Sequence, residues 1–128
     1  VSSLDILCVQ VLGRSQGERV RRARTLAEIE GIDQRTGELD YSTAYNWDAT
    51  TDDFTQSNSV LLEEIREERG WSQSELLREL RNRQQFLQYL QDEGVTDYRR
   101  FTAMVNKYYA DAEAVMGRID RAEIEGQG

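Results

Sequence analysis

The sequence predicts an α+β fold: a small antiparallel three-stranded sheet in the N-terminal half, packed with three to four helices in the C-terminal half. Three observations lead there. Residues 39–47 alternate strictly, apolar against polar, with the period of a strand. Beyond about residue 54 the apolar positions recur at helical spacing instead. Short turn sequences, and no long linkers, separate the first three apolar segments, as an antiparallel meander requires. At 128 residues the chain has the usual size of one domain, and its only composition shift falls near residue 50. Residues 1–128 therefore read as one α+β unit, with a strand meander over 1–48, a helical extension over 54–122 and a frayed tail over 123–128.

The first strand is Leu4 to Leu12, an almost continuously apolar run that calls for cover on both faces. Gly13 to Glu18 holds two glycines and forms a turn. The second strand covers Arg19 to Ile32. Alternation puts Ala23, Thr25, Ala27 and Ile29 on one of its faces and Arg22, Arg24, Leu26 and Glu28 on the other. Asp33 to Glu38 is a second turn. In the third strand Leu39, Tyr41, Thr43, Tyr45 and Trp47 share a face, and Asp48 to Asp53 follows as a polar loop.

Leu61, Leu62 and Ile65 mark the first helix, which Gly70 stops. Ser72 and Glu75 have the spacing of a capping box, with Trp71 and Leu76 at the positions of a hydrophobic staple. The helix they open carries a stripe of Leu76, Leu80, Leu87 and Leu90, interrupted by Arg83 and widened by Phe86, and ends at Glu93 and Gly94. Thr96 or Asp97 caps a third helix with a stripe of Tyr98, Phe101, Val105 and Tyr108. Asp111 caps a short fourth helix with Ala112, Val115 and Ile119.

Composition excludes several function classes. No apolar run approaches the roughly 20 residues of a membrane span. There is no histidine, so the commonest general base and transition-metal ligand is missing. Cys8 is the only cysteine, which excludes an internal disulfide, and its apolar strand makes it a buried, inert thiol. Sixteen basic residues against 24 acidic ones give a net charge of -8, a field that repels nucleic acid and anionic membrane surfaces. Lys107 is the only lysine among the 16 basic residues. Strong acidity with so little lysine resembles the proteins of salt-loving archaea, where molar salt screens the self-repulsion. An acidic domain from a high-GC genome is the alternative.

The sequence contains no Gly-x-x-x-x-Gly-Lys-Ser/Thr phosphate loop, no Gly-x-Gly-x-x-Gly and no nucleophile elbow. No catalytic, cofactor-binding or metal-binding residue is assigned. Glu63, Glu64, Glu67 and Glu68 pair at helical spacing and could hold a magnesium or calcium ion, or form a solvated face neutralised by Arg66 and Arg69. Arg19, Arg21, Arg22 and Arg24 form the only basic cluster, suited to a phosphate or an acidic neighbouring subunit. Pairing with Glu18, Glu28 and Glu30 is the alternative. The aromatic residues of the third strand and third helix suit a core or a recognition surface. Tyr109 falls off the main stripe and is expected to be exposed. The candidate subunit-contact residues are thus Arg19, Arg21, Arg22, Arg24 and Tyr109.

Two stretches together carry a family likeness. Leu4-Asp5-Ile6-Leu7-Cys8-Val9-Gln10, a Gly-containing turn, Arg19-Val20-Arg21-Arg22 and Glu28-Ile29-Glu30-Gly31 resemble the strand pair near the C-terminal end of the type II/IV secretion ATPases. These are the motors of pilus assembly, conjugation and the archaellum. Thr36-Gly37-Glu38-Leu39, Asn46-Trp47-Asp48, the arginine-rich helix Leu77 to Arg83, and Asp97-Tyr98-Arg99-Arg100-Phe101 with Tyr108-Tyr109 are similar to the C-terminal extension of archaeal members. With the arginine bias, the likeness is to a haloarchaeal pilus-assembly or archaellum ATPase. The run of strand residues directly after Val1 also reads as a piece cut from a longer polypeptide.

The resemblance implies the terminal segment of a hexameric, cytoplasmic motor, peripheral at the inner face of the membrane. The first two strands would then be edge strands of a RecA-like core. ATP and magnesium belong to the parent protein, whose defining motifs lie upstream, so no catalytic residue carries over to this fragment. The implied partners are the rest of the ATPase chain, neighbouring subunits and a membrane platform protein, with no nucleic acid and no direct membrane insertion. A function of another class stands beside this one: an independent acidic protein–protein interaction domain, unrelated to ATPases, whose exposed aromatic residues bind a partner.

Overall fold

A computed structural model describes residues 4–127. The chain divides into two compact units, one ending at Arg69 and the other beginning at Gly70. The first holds an antiparallel sheet of four strands in chain order, β1 (Ile6–Ser15), β2 (Glu18–Ile32), β3 (Leu39–Asp48) and β4 (Asp53–Gln56), followed by α1 (Val60–Arg69). The second holds α2 (Gln73–Asp92), α3 (Tyr98–Ala110) and α4 (Ala112–Gln127). The α+β class stands, with four strands in place of the three expected. Asp48 to Asp53 is a hairpin rather than a loop leading to a helix: Asp48 pairs with Asp53 and Trp47 with Phe54, and Asp52 turns the chain at φ 55°. All four residues of β4 are exposed. The strand therefore lacks the alternating burial that would announce it in a sequence.

The β1–β2 turn is tighter than expected. Ser15 pairs with Glu18 across Gln16 and Gly17, whose φ values of 53° and 83° suit a type I′ hairpin. Gly13 lies instead within β1, where a Cβ would sit 3.7 Å from the Trp47 ring. The β2 strand is not a regular ribbon. Its pairing with β1 skips Arg24, and its pairing with β3 skips Glu30 on β2 and Ala44 on β3. Each skip inserts an unpaired residue, bends the strand and breaks the period-2 alternation. The face assignment that joined Arg22 to Arg24 is interrupted at that point.

The β1 strand stands at the edge of the sheet, with β2 as its only neighbour there. Its apolar side chains are not covered: Ile6, Leu7, Val9 and Leu12 are 40% to 58% exposed, and Cys8 is exposed as well. The expected cover on both faces, and the buried thiol, are corrected by these exposures: among the described residues no second layer closes over the apolar side chains of β1.

In the second unit the local start and stop signals act as expected. The Ser72 Oγ accepts from the Glu75 N–H at 3.2 Å, opening α2. Gly94 takes φ 70° and the Val95 N–H reaches back to the Leu90 carbonyl at 2.9 Å, closing it. Asp97 caps α3 through the Arg99 N–H, and Asp111 caps α4 through the Ala114 N–H, both at 3.1 Å. The core is Phe86, Leu90, Tyr108, Val115, Met116 and Ile119. The α4 helix is not short but runs to Gln127, and Gly128 lies outside the described residues.

The α2 stripe is rotated from its expected centre. Phe86 is buried while Leu87, expected in the stripe, is 52% exposed, because α3 and α4 close on the Phe86 side. On α3 only Tyr108 is fully buried, with Met104 and Val105 packed partly against the core. Tyr98 and Phe101 are exposed, as is Tyr41 on β3. Among the described residues no helix is long and apolar enough to cross a membrane.

Candidate functional site

The basic cluster on β2 is split by its surroundings. Arg22 is occupied. Its Nε and Nη2 form a fork on the two carboxylate oxygens of Asp52 at 2.8 and 2.9 Å, and its Nη1 donates to the Arg21 carbonyl at 2.9 Å. The Trp47 indole N–H donates to the same carboxylate at 2.9 Å. The β3–β4 hairpin brings Asp52 to this point, so the pair locks the turn of one hairpin onto the strand of another. Arg19, Arg21 and Arg24 form no ion pair among the described residues. Arg24 is the unpaired residue of the β2 irregularity, and Arg19 stands opposite Arg14, concentrating positive charge at the hairpin end. The local glutamates are engaged elsewhere: Glu28 with α1, and Glu30 with the Ser42 hydroxyl at 3.2 Å.

The Arg22 fork, and after it the Trp47 N–H, hold the Asp52 carboxyl down at about 2, below its ordinary value of 3.8. A depressed folded pKa stabilises fully above the unfolded value, and that contribution disappears as pH falls through the folded one. Urea midpoints of the native chain and of Asp52→Asn are expected to differ above pH about 4 and to converge toward pH about 2. Asparagine tolerates the positive φ at this position. A constant difference across that range would show that the carboxylate charge contributes nothing.

Glu28 forms the second arrangement. Its Oε1 accepts from the backbone N–H groups of Val60 and Leu61 at 2.9 and 3.1 Å, and its Oε2 accepts from the Ser59 hydroxyl. The Ser59 Oγ accepts in turn from the Leu62 N–H at 3.0 Å. A buried strand carboxylate thereby satisfies the first donors of α1 and places a negative charge at the helix N-terminus. Sequence reasoning missed this role. The signal that could have found it is an acid inside the apolar run Leu26-Ala27-Glu28-Ile29. A groove of about 560 Å³ opens alongside, lined by Leu4, Asp5, Ile29, Gly31, Val60 and Glu64 among others. Both Glu28 oxygens are already engaged on α1, which leaves the groove no free carboxylate from this residue.

The acidic residues of α1 do not gather into one site. Glu63 pairs with Arg66 at 3.1 Å, while Glu64 lines the groove. Among the described residues no group of three or more acidic or cysteine side chains is placed to hold a metal ion.

In the second unit the Glu79 Oε1 accepts from the Arg83 Nε at 2.9 Å and from the Tyr108 hydroxyl at 3.1 Å. Burial first, and Glu79 second, push the Tyr108 hydroxyl above its ordinary pKa. Arg83, an interruption of the α2 stripe in the sequence, is a bridge in the structure. Its guanidinium lies 5.9 Å from the centroid of the Tyr108 ring and 5.7 Å from that of Tyr109. Tyr108 stacks on Phe86 with centroids 4.9 Å apart, and Tyr109 is exposed as expected.

Residues 50–125 match a protein family described as PilB3-like, C-terminal. The matched stretch begins in the β3–β4 turn and covers α1 and almost all of the second unit. The chain is also similar to an uncharacterized protein, MJ1287, of Methanocaldococcus jannaschii. The two are 32% identical over 91 residues, which is 70% of this chain and 34% of that protein. The chain thus spans about a third of that relative's length.

Proposed function

Because the chain belongs to the PilB3-like, C-terminal family, we propose that it is the C-terminal segment of a pilus-assembly ATPase of the type II/IV secretion class. Its work is structural: it contributes to assembly while the nucleotide chemistry lies elsewhere in the parent protein. The match over residues 50–125 carries this reading. The uncovered apolar edge strand β1 supports it, since a parent domain adding to that edge would bury Ile6, Leu7, Val9 and Leu12. In this reading the parent is a hexameric cytoplasmic motor, peripheral at the inner face of the membrane, which binds ATP and magnesium. Arg19, Arg21, Arg24 and Tyr109 remain available to a neighbouring subunit or a membrane platform protein. Arg22 leaves that set because Asp52 engages it. The acidic, lysine-poor composition supports an origin in a salt-loving archaeon.

A nucleotide site of this class needs a glycine loop whose N–H groups cradle the phosphates, with a lysine beside it. The only lysine here, Lys107, lies in the last turn of α3. Calorimetric titration of the chain with Mg-ATP is expected to show no binding tighter than about millimolar, and a phosphate-release assay no turnover above the blank. Micromolar binding that disappears when Arg22 and Arg24 become alanine would overturn the assignment of nucleotide chemistry to the parent. The gene context gives a separate test. A Gly-Lys-Thr phosphate loop and a His-rich box encoded ahead of Val1 are expected, and their absence would overturn the ATPase reading itself.

A further inference from the structure

The turn end of the β1–β2 ribbon presents two faces of different chemistry. From Thr25 back to the turn, β2 has no ladder with β3 and pairs with β1 alone. The β3–β4 hairpin holds down one face of this projection. The Ser15 hydroxyl donates to the Ala49 carbonyl at 2.8 Å, a Cβ at Gly13 would meet the Trp47 ring at 3.7 Å, and Arg22 forks onto Asp52. The other face carries Leu12, Arg14, Arg19 and Arg21. Arg14 stands directly opposite Arg19, and Leu12 directly opposite Arg21, so all four side chains leave the ribbon on one side. Burial follows the same alternation: these four are exposed, while Val11, Gly13, Val20 and Arg22 between them are half-buried.

Arg14, Arg19 and Arg21 form no ion pair among the described residues. Setting Arg14 directly against Arg19 destabilises the free hairpin, and carboxylates brought between them remove that repulsion. The reverse chemistry stands at the far end of the same ribbon. The groove beside the start of β1, the end of β2 and α1 has Leu4, Ile29 and Val60 in its apolar lining, Asp5, Glu30 and Glu64 as free or partly free acids, and no cation. Asp5 and Glu64 form no ion pair among the described residues, and Glu30 engages one oxygen on the Ser42 hydroxyl. Both surfaces belong to the unit that ends at Arg69. Asp5 and Arg14 are separated by about 30 Å of extended chain, which no arginine side chain spans. One copy therefore does not satisfy its own arginines in its own groove.

We propose that the Arg14, Arg19 and Arg21 face of one copy docks in the groove lined by Asp5 and Glu64 on a second copy of this chain. Leu12 and the methylene stems of the arginines lie along the apolar lining, and the guanidinium groups meet the carboxylates. Complementarity selects this occupant: cations around a leucine on one surface, acids around an apolar floor on the other. The two surfaces differ, so the contact is heterologous, and each added copy leaves one surface of each kind open. The net charge of -8 opposes association, but at physiological ionic strength the screening length is about 8 Å, so the pairs in contact outweigh the charges spread over the rest. The inference deepens the reading of Arg19 and Arg21 as contacts to a neighbouring subunit and rests on it. Mg-ATP titration and gene context test the ATPase assignment separately.

Sedimentation equilibrium with the full chain at about 0.15 M salt tests it. The native chain is expected to associate beyond the monomer with a Kd of about 100 μM. Two double variants break one surface each: Arg19→Ala with Arg21→Ala, and Asp5→Asn with Glu64→Gln. All four side chains are exposed, so circular dichroism and Tm should stay at native values. Each variant alone should associate at least about tenfold more weakly than the native chain. An equimolar mixture of the two should regain a one-to-one dimer and nothing larger, because one intact face meets one intact groove and growth stops there. A native chain that stays monomeric to about 1 mM would overturn the proposal. So would association unchanged in both variants, as edge-to-edge pairing of two β1 strands would give, or a mixture no more associated than its components. Anisotropy with a labelled single-stranded RNA covers the other polyanion, and RNA binding tighter than self-association and lost in the arginine variant would also overturn it.

Discussion

Replacing Glu28 with alanine is expected to release α1 from the sheet. The substitution removes the acceptor of the Val60 and Leu61 N–H groups and of the Ser59 hydroxyl. None of the α1 side chains is fully buried, and Leu61, Leu62 and Ile65 are half-buried. A helix of ten residues is marginal on its own in water. Leaving part-buried donors without a partner and removing a negative charge from a helix N-terminus together cost about 2 kcal/mol. That is roughly a thirtyfold rise in opening of the helix. Amide hydrogen exchange over residues 60–69 reads it directly, with the β2–β3 ladder as the internal reference. Glu28→Gln keeps one acceptor oxygen and should fall between the two. Unchanged α1 exchange in Glu28→Ala would mean that packing, and not the carboxylate, holds the helix.

Ile119→Ala should have the largest effect on the second unit. Ile119 is 1% exposed, the least accessible large side chain of the core that also holds Phe86, Leu90 and Tyr108. Removing its buried methyl and methylene groups and leaving a cavity costs about 3 kcal/mol, a large share of what an ordinary domain has in total. The urea midpoint is expected to fall accordingly, with loss of the near-ultraviolet signal of the core aromatic residues. Leu87→Ala is the companion measurement. It removes a side chain that the leucine pattern alone would bury but that is half exposed, and its effect should stay within about 0.5 kcal/mol. Equal losses in the two variants would show that the α2 stripe faces the core as the leucine spacing suggests.

These comparisons separate what the amino-acid sequence determined by itself from what only the tertiary structure decided. The caps at Ser72, Asp97 and Asp111 and the stop at Gly94 were legible because each is a contact across two to five residues, where spacing and side-chain chemistry suffice. The β3 strand was legible in its period-2 alternation, although its burial does not follow that pattern: Leu39 and Tyr41 are exposed and Ala44, on the other face, is buried. The exposure of Tyr109 followed from its place off the stripe. By contrast β4 was hidden, since an exposed strand needs no apolar pattern and owes its existence to the ladder offered by β3. The absent cover over β1 follows from what packs on the sheet and not from the composition of the strand, so an apolar run alone predicted the opposite. The Arg22–Asp52 fork and the Glu28 clamp join groups far apart in the chain, and charge patterns along a sequence carry no record of such pairings. The position of the α2 stripe was likewise left open by its leucines. Several faces of that helix are apolar enough to bury, and the approach of α3 and α4 selected the one bearing Phe86 and Leu90.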